Sequence, residues 1–186
     1  FEWVAWDDPN ANWDAAIPTV IRTTWNYVQA HQAFVAWTQR VAAAAPLWNP
    51  PDVIASNIHK GYLLQLAARG VATAPTHLLA QGSTHIDDLF TAVRADRIVI
   101  KPAVGAGSSG ARWFVRSPDG MTDASSHALS LAATGDVLVQ PYVASVEHYG
   151  ERSLVWLDGQ LSHAIRKSPR FAGDHERIEG PLPTTE

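Results

Sequence analysis

Ile98-Val99-Ile100 runs into Lys101-Pro102, then Gly105-Ala106-Gly107-Ser108-Ser109-Gly110, then Ala111-Arg112-Trp113-Phe114-Val115-Arg116. The glycine segment formally matches G-x-G-x-x-G. A dinucleotide-binding fold needs that loop to open a helix, whose N-terminus receives phosphate. The residues after Gly110 are aromatic and β-branched, which is strand chemistry. Strand, glycine loop, strand is a hairpin flap, and it excludes the dinucleotide fold on context. Free backbone N–H groups of such a flap can lie over nucleotide phosphates, as the glycine loop of protein kinases does. A kinase lysine follows its loop, whereas Lys101 precedes this one, so a kinase is disfavoured. Taken alone, the loop reads as a flexible surface hairpin without a ligand.

The flanking residues weigh against that bland reading. Lys101 follows three apolar strand residues, and a charge at the mouth of a buried strand is costly without a counter-ion. A phosphate would supply one; a lysine that snorkels to solvent is the alternative. Asn57 reads as the N-cap of a helix running to about Arg69, with Gly70 as its C′ residue. Lys60 then falls in the first turn, where the helix dipole disfavours a cation unless an anion meets it. Val137-Leu138-Val139-Gln140 is an apolar strand broken at Pro141, which ends the ladder and frees backbone groups at Tyr142 and Val143. Free N–H and C=O groups beside an aromatic ring suit adenine, and Glu147 follows at a distance suited to ribose.

Elsewhere the periodicities predict strands at Phe1–Trp6, Thr19–Arg22 and Pro75–Leu79, the second of them buried. They predict helices at Gln29–Ala44, Asp87–Ala95 and Ser125–Ala133. Phe34, Trp37 and Val41 form the apolar stripe of the first helix. Asp158-Gly159 between alternating runs predicts a hairpin of Arg152–Leu157 with Gln160–Lys167. Trp25, Trp37 and Trp48 read as core, and Arg22 as an ion-pair partner or a ligand for a substrate carboxylate.

The 186 residues carry a net charge of −4 and no basic cluster, which disfavours nucleic acid as a partner. No apolar run approaches the ~20 residues of a membrane helix. Cysteine is absent, which excludes a disulfide scaffold and fits a reducing, cytoplasmic setting. The eight histidines form no zinc-binding pattern. The chain begins on Phe1 and ends on a polar tail, so it reads as part of something longer.

The ordered set of Asn57-Ile58-His59-Lys60-Gly61, Lys101-Pro102, Gln140-Pro141-Tyr142-Val143, Gly150-Glu151-Arg152 and Asp158-Gly159 to Ser162-His163-Ala164-Ile165-Arg166-Lys167 resembles the ATP-grasp superfamily. It is most similar to the glutathione-synthetase-like and RimK-like members, in the branch containing the cyclo-ligase of D-cycloserine biosynthesis. Arg22-Thr23-Thr24-Trp25-Asn26-Tyr27 also resembles that branch, which typically has an acid where Asn26 stands.

The resemblance implies an α+β (α/β) fold: an incomplete ATP-grasp core of mainly antiparallel sheet with helices, behind a pre-ATP-grasp segment. The expected divisions are residues 1–75, a small flap-bearing subdomain at 76–141, and the start of a second subdomain at 142–186. The implied function is an ATP-dependent ligase. It would form an acyl phosphate on an amino-acid-like molecule, then a C–N bond or a ring, releasing ADP and phosphate, as in antibiotic biosynthesis. Lys60, Lys101, Gly105, Gly107, Ser108, Ser109, Gly110, Gln140, Tyr142, Val143 and Glu147 would hold ATP. Arg166 or Lys167 would steady the transferring phosphoryl group, and Arg22 the substrate. Strand alternation lets only one of Arg166 and Lys167 face the phosphates. Mg²⁺ is implied, but its ligands are expected C-terminal to this chain, since Glu176 and Glu179 lie in a polar tail. A homodimer stays open. A nucleotide-binding module without catalysis, and an interaction domain on a degenerate scaffold, are the rival readings.

Overall fold

The computed structural model describes residues 1–167. Among them, no helix is long and apolar enough to cross a membrane. The first half is organised by helix α1 (His31–Ala44), whose Phe34, Trp37 and Val41 are buried as their spacing predicts. They meet Trp6, Ile21, Leu47 and Ile54 in one apolar cluster. Phe34 and Trp37 stack with centroids 5.5 Å apart, and Trp6 packs edge-on to Phe34 at 5.1 Å. Such pairs add about 0.5–1.5 kcal/mol beyond the area they bury.

Three expectations are overturned in this half. The segment Phe1–Trp6 forms no strand; only Trp6 is buried, with its indole N–H donated to Asn26 Oδ1 at 2.7 Å. The strand expected at Thr19–Arg22 shrinks to β1 (Thr19–Val20), paired in parallel with β2 (Leu47–Trp48), and Val20 is exposed. Trp25 and Trp48, expected in the core, are 62% and 54% exposed. Trp25 begins a 3₁₀ turn at Trp25–Gln29 that buries none of its residues.

The helix expected from Asn57 is two helices, α2 (Pro51–Asn57) and α3 (Tyr62–Ala68). Asn57 ends the first instead of capping the second. The break is built locally, because Gly61 donates its N–H to His59 Nδ1 and Lys60 donates its N–H to Ala103 O. Neither amide can then join a helical ladder. Lys60 therefore lies in a link, and the dipole argument for it lapses. Gly70, with φ 81°, still follows the end of α3 in the left-handed conformation.

The second half is a four-stranded antiparallel sheet of order β3-β6-β4-β5, from β3 (His77–Leu79), β6 (Val137–Pro141), β4 (Arg97–Pro102) and β5 (Arg112–Val115). Strand alternation gives it two unlike faces. Ile98, Ile100, Phe114, Val137 and Val139 point into an apolar cluster with Leu89, Phe90 and Val93, the last three from helix α4 (Leu89–Val93). Helix α5 (Pro118–Ala132) joins that cluster through Ala124, Ala128 and Ala132, a stripe at i, i+4, i+8 that lets it lie close to the sheet. It starts seven residues before the expected Ser125. Pro118 opens it, and Ser117 Oγ accepts the Gly120 N–H at 3.1 Å.

After β6 comes a short helix, α6 (Ser145–Tyr149), which the periodicities did not predict. The hairpin of β7 (Glu151–Leu157) and β8 (Gln160–Lys167) forms as expected. Asp158 and Gly159 both have positive φ, 50° and 72°, as a type I′ turn requires.

Candidate functional site

The other face of the four-stranded sheet carries the chemistry. A cleft of about 350 Å³ is floored by Val99 and Lys101 of β4 and Gln140 of β6. Register sets Val99 opposite Gln140 and Lys101 opposite Leu138. Gly105, Gly107, Ser108 and Ser109 of the glycine loop line the cleft, Tyr142 and Val143 form part of its wall, and Lys60 enters from the link between α2 and α3. Nine residues singled out in sequence thus meet in one place. Gly110, Glu147, Arg166 and Arg22 do not line it. Val99, Val146 and Glu151 do, and the sequence reading passed over them. Val99 could have been found by period 2, since it alternates with two core isoleucines.

Lys60 and Lys101 are half-buried and share the cleft. Burial pushes both ammonium groups below the usual lysine pKa, and Lys101 pushes Lys60 down further. Lys60 Nζ donates to Gly105 O at 2.6 Å. Among the described residues the basic side chains that meet carboxylates are those of His59, His85, Arg97 and Arg116, and neither cleft lysine is among them. Two cations crowded into a partly dry cleft form a natural seat for a multiply charged anion.

The adenine-side expectation meets a more crowded arrangement. Tyr142 donates its N–H to Arg97 O at 2.8 Å. Among the described backbone bonds outside helices and strands, the Tyr142 carbonyl and Val143 N–H have no partner. The Arg97 guanidinium lies between two rings, 3.8 Å from Tyr142 and 4.4 Å from Trp113. Glu147, on α6, accepts from the Tyr142 hydroxyl at 2.7 Å and pairs with Arg97 at 3.0 Å. The Tyr142 hydrogen bond first, then Arg97, hold its carboxyl below the usual range despite an opposing effect of burial. Glu147 thus braces the segment that carries Tyr142. Arg97 and Trp113 went unread because their pairing depends on β4–β5 register.

The flap is tied at both ends. Lys60 holds Gly105 O, and His127 of α5 donates from Nε2 to Gly110 O at 2.9 Å. Burial pushes His127 below the usual histidine pKa, which the bond to Gly110 partly offsets. Gly107, Ser108 and Gly110 have φ of 63°, 65° and 70°. A Cβ on Gly110 would lie 3.0 Å from Pro102 Cγ. Gly110→Ala should therefore cost about 1–2 kcal/mol in stability and displace the flap. Urea unfolding and ATP titration of the variant check both effects.

On the hairpin, Arg166 pairs in register with Arg152, and its guanidinium lies 5.6 Å from the Tyr149 ring. Lys167 pairs in register with Glu151, which lines the cleft. The side chain of Lys167 lies outside the described residues, as do Glu176 and Glu179. Arg22 is exposed, and the ion pairs among the described residues do not include it. Among the described residues no three His, Asp or Glu side chains cluster as a metal site. They do not fit Mg²⁺ by themselves.

The family described as "D-cycloserine synthetase DcsG, N-terminal domain" matches residues 1–49. The cycloserine biosynthesis protein DcsG of Streptomyces lavendulae is 34% identical over 174 residues, 91% of this chain and 58% of that protein. The crystal structure of D-cycloserine synthetase DcsG matches at TM-score 0.76 and 34% identity, over 88% of this chain and 56% of that one. A weaker likeness, TM-score 0.49 at 19% identity, relates 69% of this chain to 38% of D-alanyl-alanine synthetase A from Vibrio cholerae. The chain spans a little over half the length of the cycloserine relatives it matches. The antiparallel sheet with its glycine flap, and the match over most of the chain, agree with the fold that the motifs implied. The chain is a homologue of D-cycloserine synthetase and shares its fold over most of its own length.

Proposed function

We propose that this chain is the ATP-holding part of an ATP-dependent carboxylate–amine ligase or cyclo-ligase. It would act in the cytoplasm on a small amino-acid-like molecule, in antibiotic biosynthesis. The observation that carries the reading is the convergence of Lys60 and Lys101 beneath a glycine flap. Lys60 and Lys101 hold the phosphates as point charges. Gly105 to Gly110 close over them and exclude water, which protects an acyl phosphate from hydrolysis. The Tyr142 carbonyl and Val143 N–H meet the adenine edge, and Gln140 the floor beneath it. Glu147 acts on this wall through Tyr142, as a positioning residue. Lys167 or Arg166 steadies charge on the transferring phosphoryl group, and Arg22 takes a substrate carboxylate. Mg²⁺ would be held largely by residues other than those described.

The test is product analysis on the full-length protein. ADP and phosphate should appear only when an amino-acid-like substrate is present. AMP and pyrophosphate as products would sink the acyl-phosphate reading. Tight ATP binding without turnover on any carboxylate would favour a binding module.

A further inference from the structure

Lys60 is carried into the cleft by a link that a closed circuit of hydrogen bonds holds in place. Lys60 donates its N–H to Ala103 O at 2.9 Å, and Ala103 donates its N–H to Asp136 O at 2.8 Å. The Asp136 carboxylate spans two elements. Its Oδ2 accepts from His59 Nε2 at 3.1 Å, and its Oδ1 accepts the Gln81 N–H at 2.7 Å. His59 Nδ1 accepts the Gly61 N–H at 3.1 Å. That bond fixes the tautomer: Nδ1 must present its lone pair, so the ring proton sits on Nε2 and faces Asp136. A Cβ on Gly61 would lie 2.7 Å from His59 Nδ1, so only glycine lets the ring sit this close.

Stability is a poor account of this arrangement. The His59 and Asp136 side chains are 37% and 32% exposed, and pairs so open to water add little. Its geometry is specific instead. His59, Lys60 and Gly61 are each held by hydrogen bonds, so the backbone from which a single lysine projects is fixed on both sides. The Lys60 ammonium then reaches Gly105 O. A lysine side chain gives up much rotamer freedom when it meets a ligand. Fixing its backbone beforehand removes part of the ordering cost of binding.

We infer that His59 and Asp136 are positioning residues that preset Lys60 for a polyphosphate ligand. The inference rests on the reading of the cleft as an ATP site. It assigns His59 and Asp136 no contact with the ligand. Their effect passes through Lys60 alone.

Amide hydrogen exchange of the unliganded protein, and ATP titration, are measured for His59→Ala, Asp136→Ala and His59→Gln, each also in a Lys60→Ala background. Exchange at the Lys60 and Gly61 amides should speed up at least ~10-fold in His59→Ala, with β4 and β6 protected as before. ATP affinity should fall about tenfold, and His59→Gln, which keeps a donor toward Asp136, should recover part of it. In the Lys60→Ala background, His59→Ala should have no further effect on affinity. Unchanged exchange at Lys60 and Gly61 overturns the latch itself. The same affinity loss in both backgrounds overturns its action through Lys60. Absence of ATP binding by the wild type, with the exchange response intact, instead overturns the nucleotide reading on which the inference stands.

Discussion

Replacing Lys101 by methionine should raise the stability of the unliganded protein and remove most of its stabilisation by ATP. Both effects have one cause. Burial holds the Lys101 ammonium below the usual lysine pKa, so the folded state binds its proton less tightly than the unfolded chain does. Where the unfolded state binds more protons, stability rises with pH. The rise should span the window from the lowered folded pKa up to the ordinary value of 10.5, and below that window the full penalty is present. Methionine keeps the length and removes the charge, so the gain should be full at neutral pH and vanish above the window. Bound phosphate reverses the balance, because it gives the ammonium a partner. A wild-type protein in ATP at 100 times Kd gains about 2.7 kcal/mol. Losing one charge-assisted bond of about 1.5–3 kcal/mol weakens binding roughly 10- to 100-fold and cuts that gain to about half or less. Thermal unfolding with and without ATP, repeated across pH, reads all of this. An undiminished ATP shift in Lys101→Met would remove Lys101 from the site.

The contrast between what was legible and what was not follows from range. Lys101, the glycine loop and the Pro141 break sit within or next to single strands, and period 2 alone sends Ile98 and Ile100 one way and Val99 and Lys101 the other. The Asp158-Gly159 turn is likewise local. The α2–α3 break was hidden because it depends on Ala103 and Asp136, far along the chain, taking up the link that holds Lys60. Helical pattern alone reads straight through it. Glu147 was placed by spacing as a ligand for ribose, yet Arg97 and Tyr142 hold its carboxylate through contacts that only the sheet register creates. The start of α5 was missed for another reason. Ser117, Pro118 and Asp119 are strong start signals, but alanine alone supplies the buried stripe, and a search for large apolar residues does not see it.

Val99 and Ile100 are adjacent, similar in chemistry, and should behave in opposite ways. Ile100 is fully buried in the cluster behind the sheet, against the side on which α4 and α5 pack. Ile100→Ala removes buried methyl and methylene groups and leaves a cavity, at a cost of about 2–5 kcal/mol. It removes nothing from the cleft, so ATP affinity of the folded molecules should be retained. Val99 lies on the cleft floor, in register with Gln140 on one side and Trp113 on the other. Val99→Trp places an indole in a cleft of about 350 Å³, which should cost roughly 1 kcal/mol or less in stability, as for a substitution at the surface. ATP affinity should fall at least ~10-fold, because the base and the indole compete for one volume. Urea midpoints and ATP titrations, both at temperatures where each variant is folded, separate the two effects. If Val99→Trp bound ATP normally while Ile100→Ala lost it, the two faces of β4 would be assigned the wrong way round, and with them the position of Lys101. The outcome matters more than either variant alone, because the side from which Lys101 projects is what turns a half-buried lysine at a strand end into a phosphate contact.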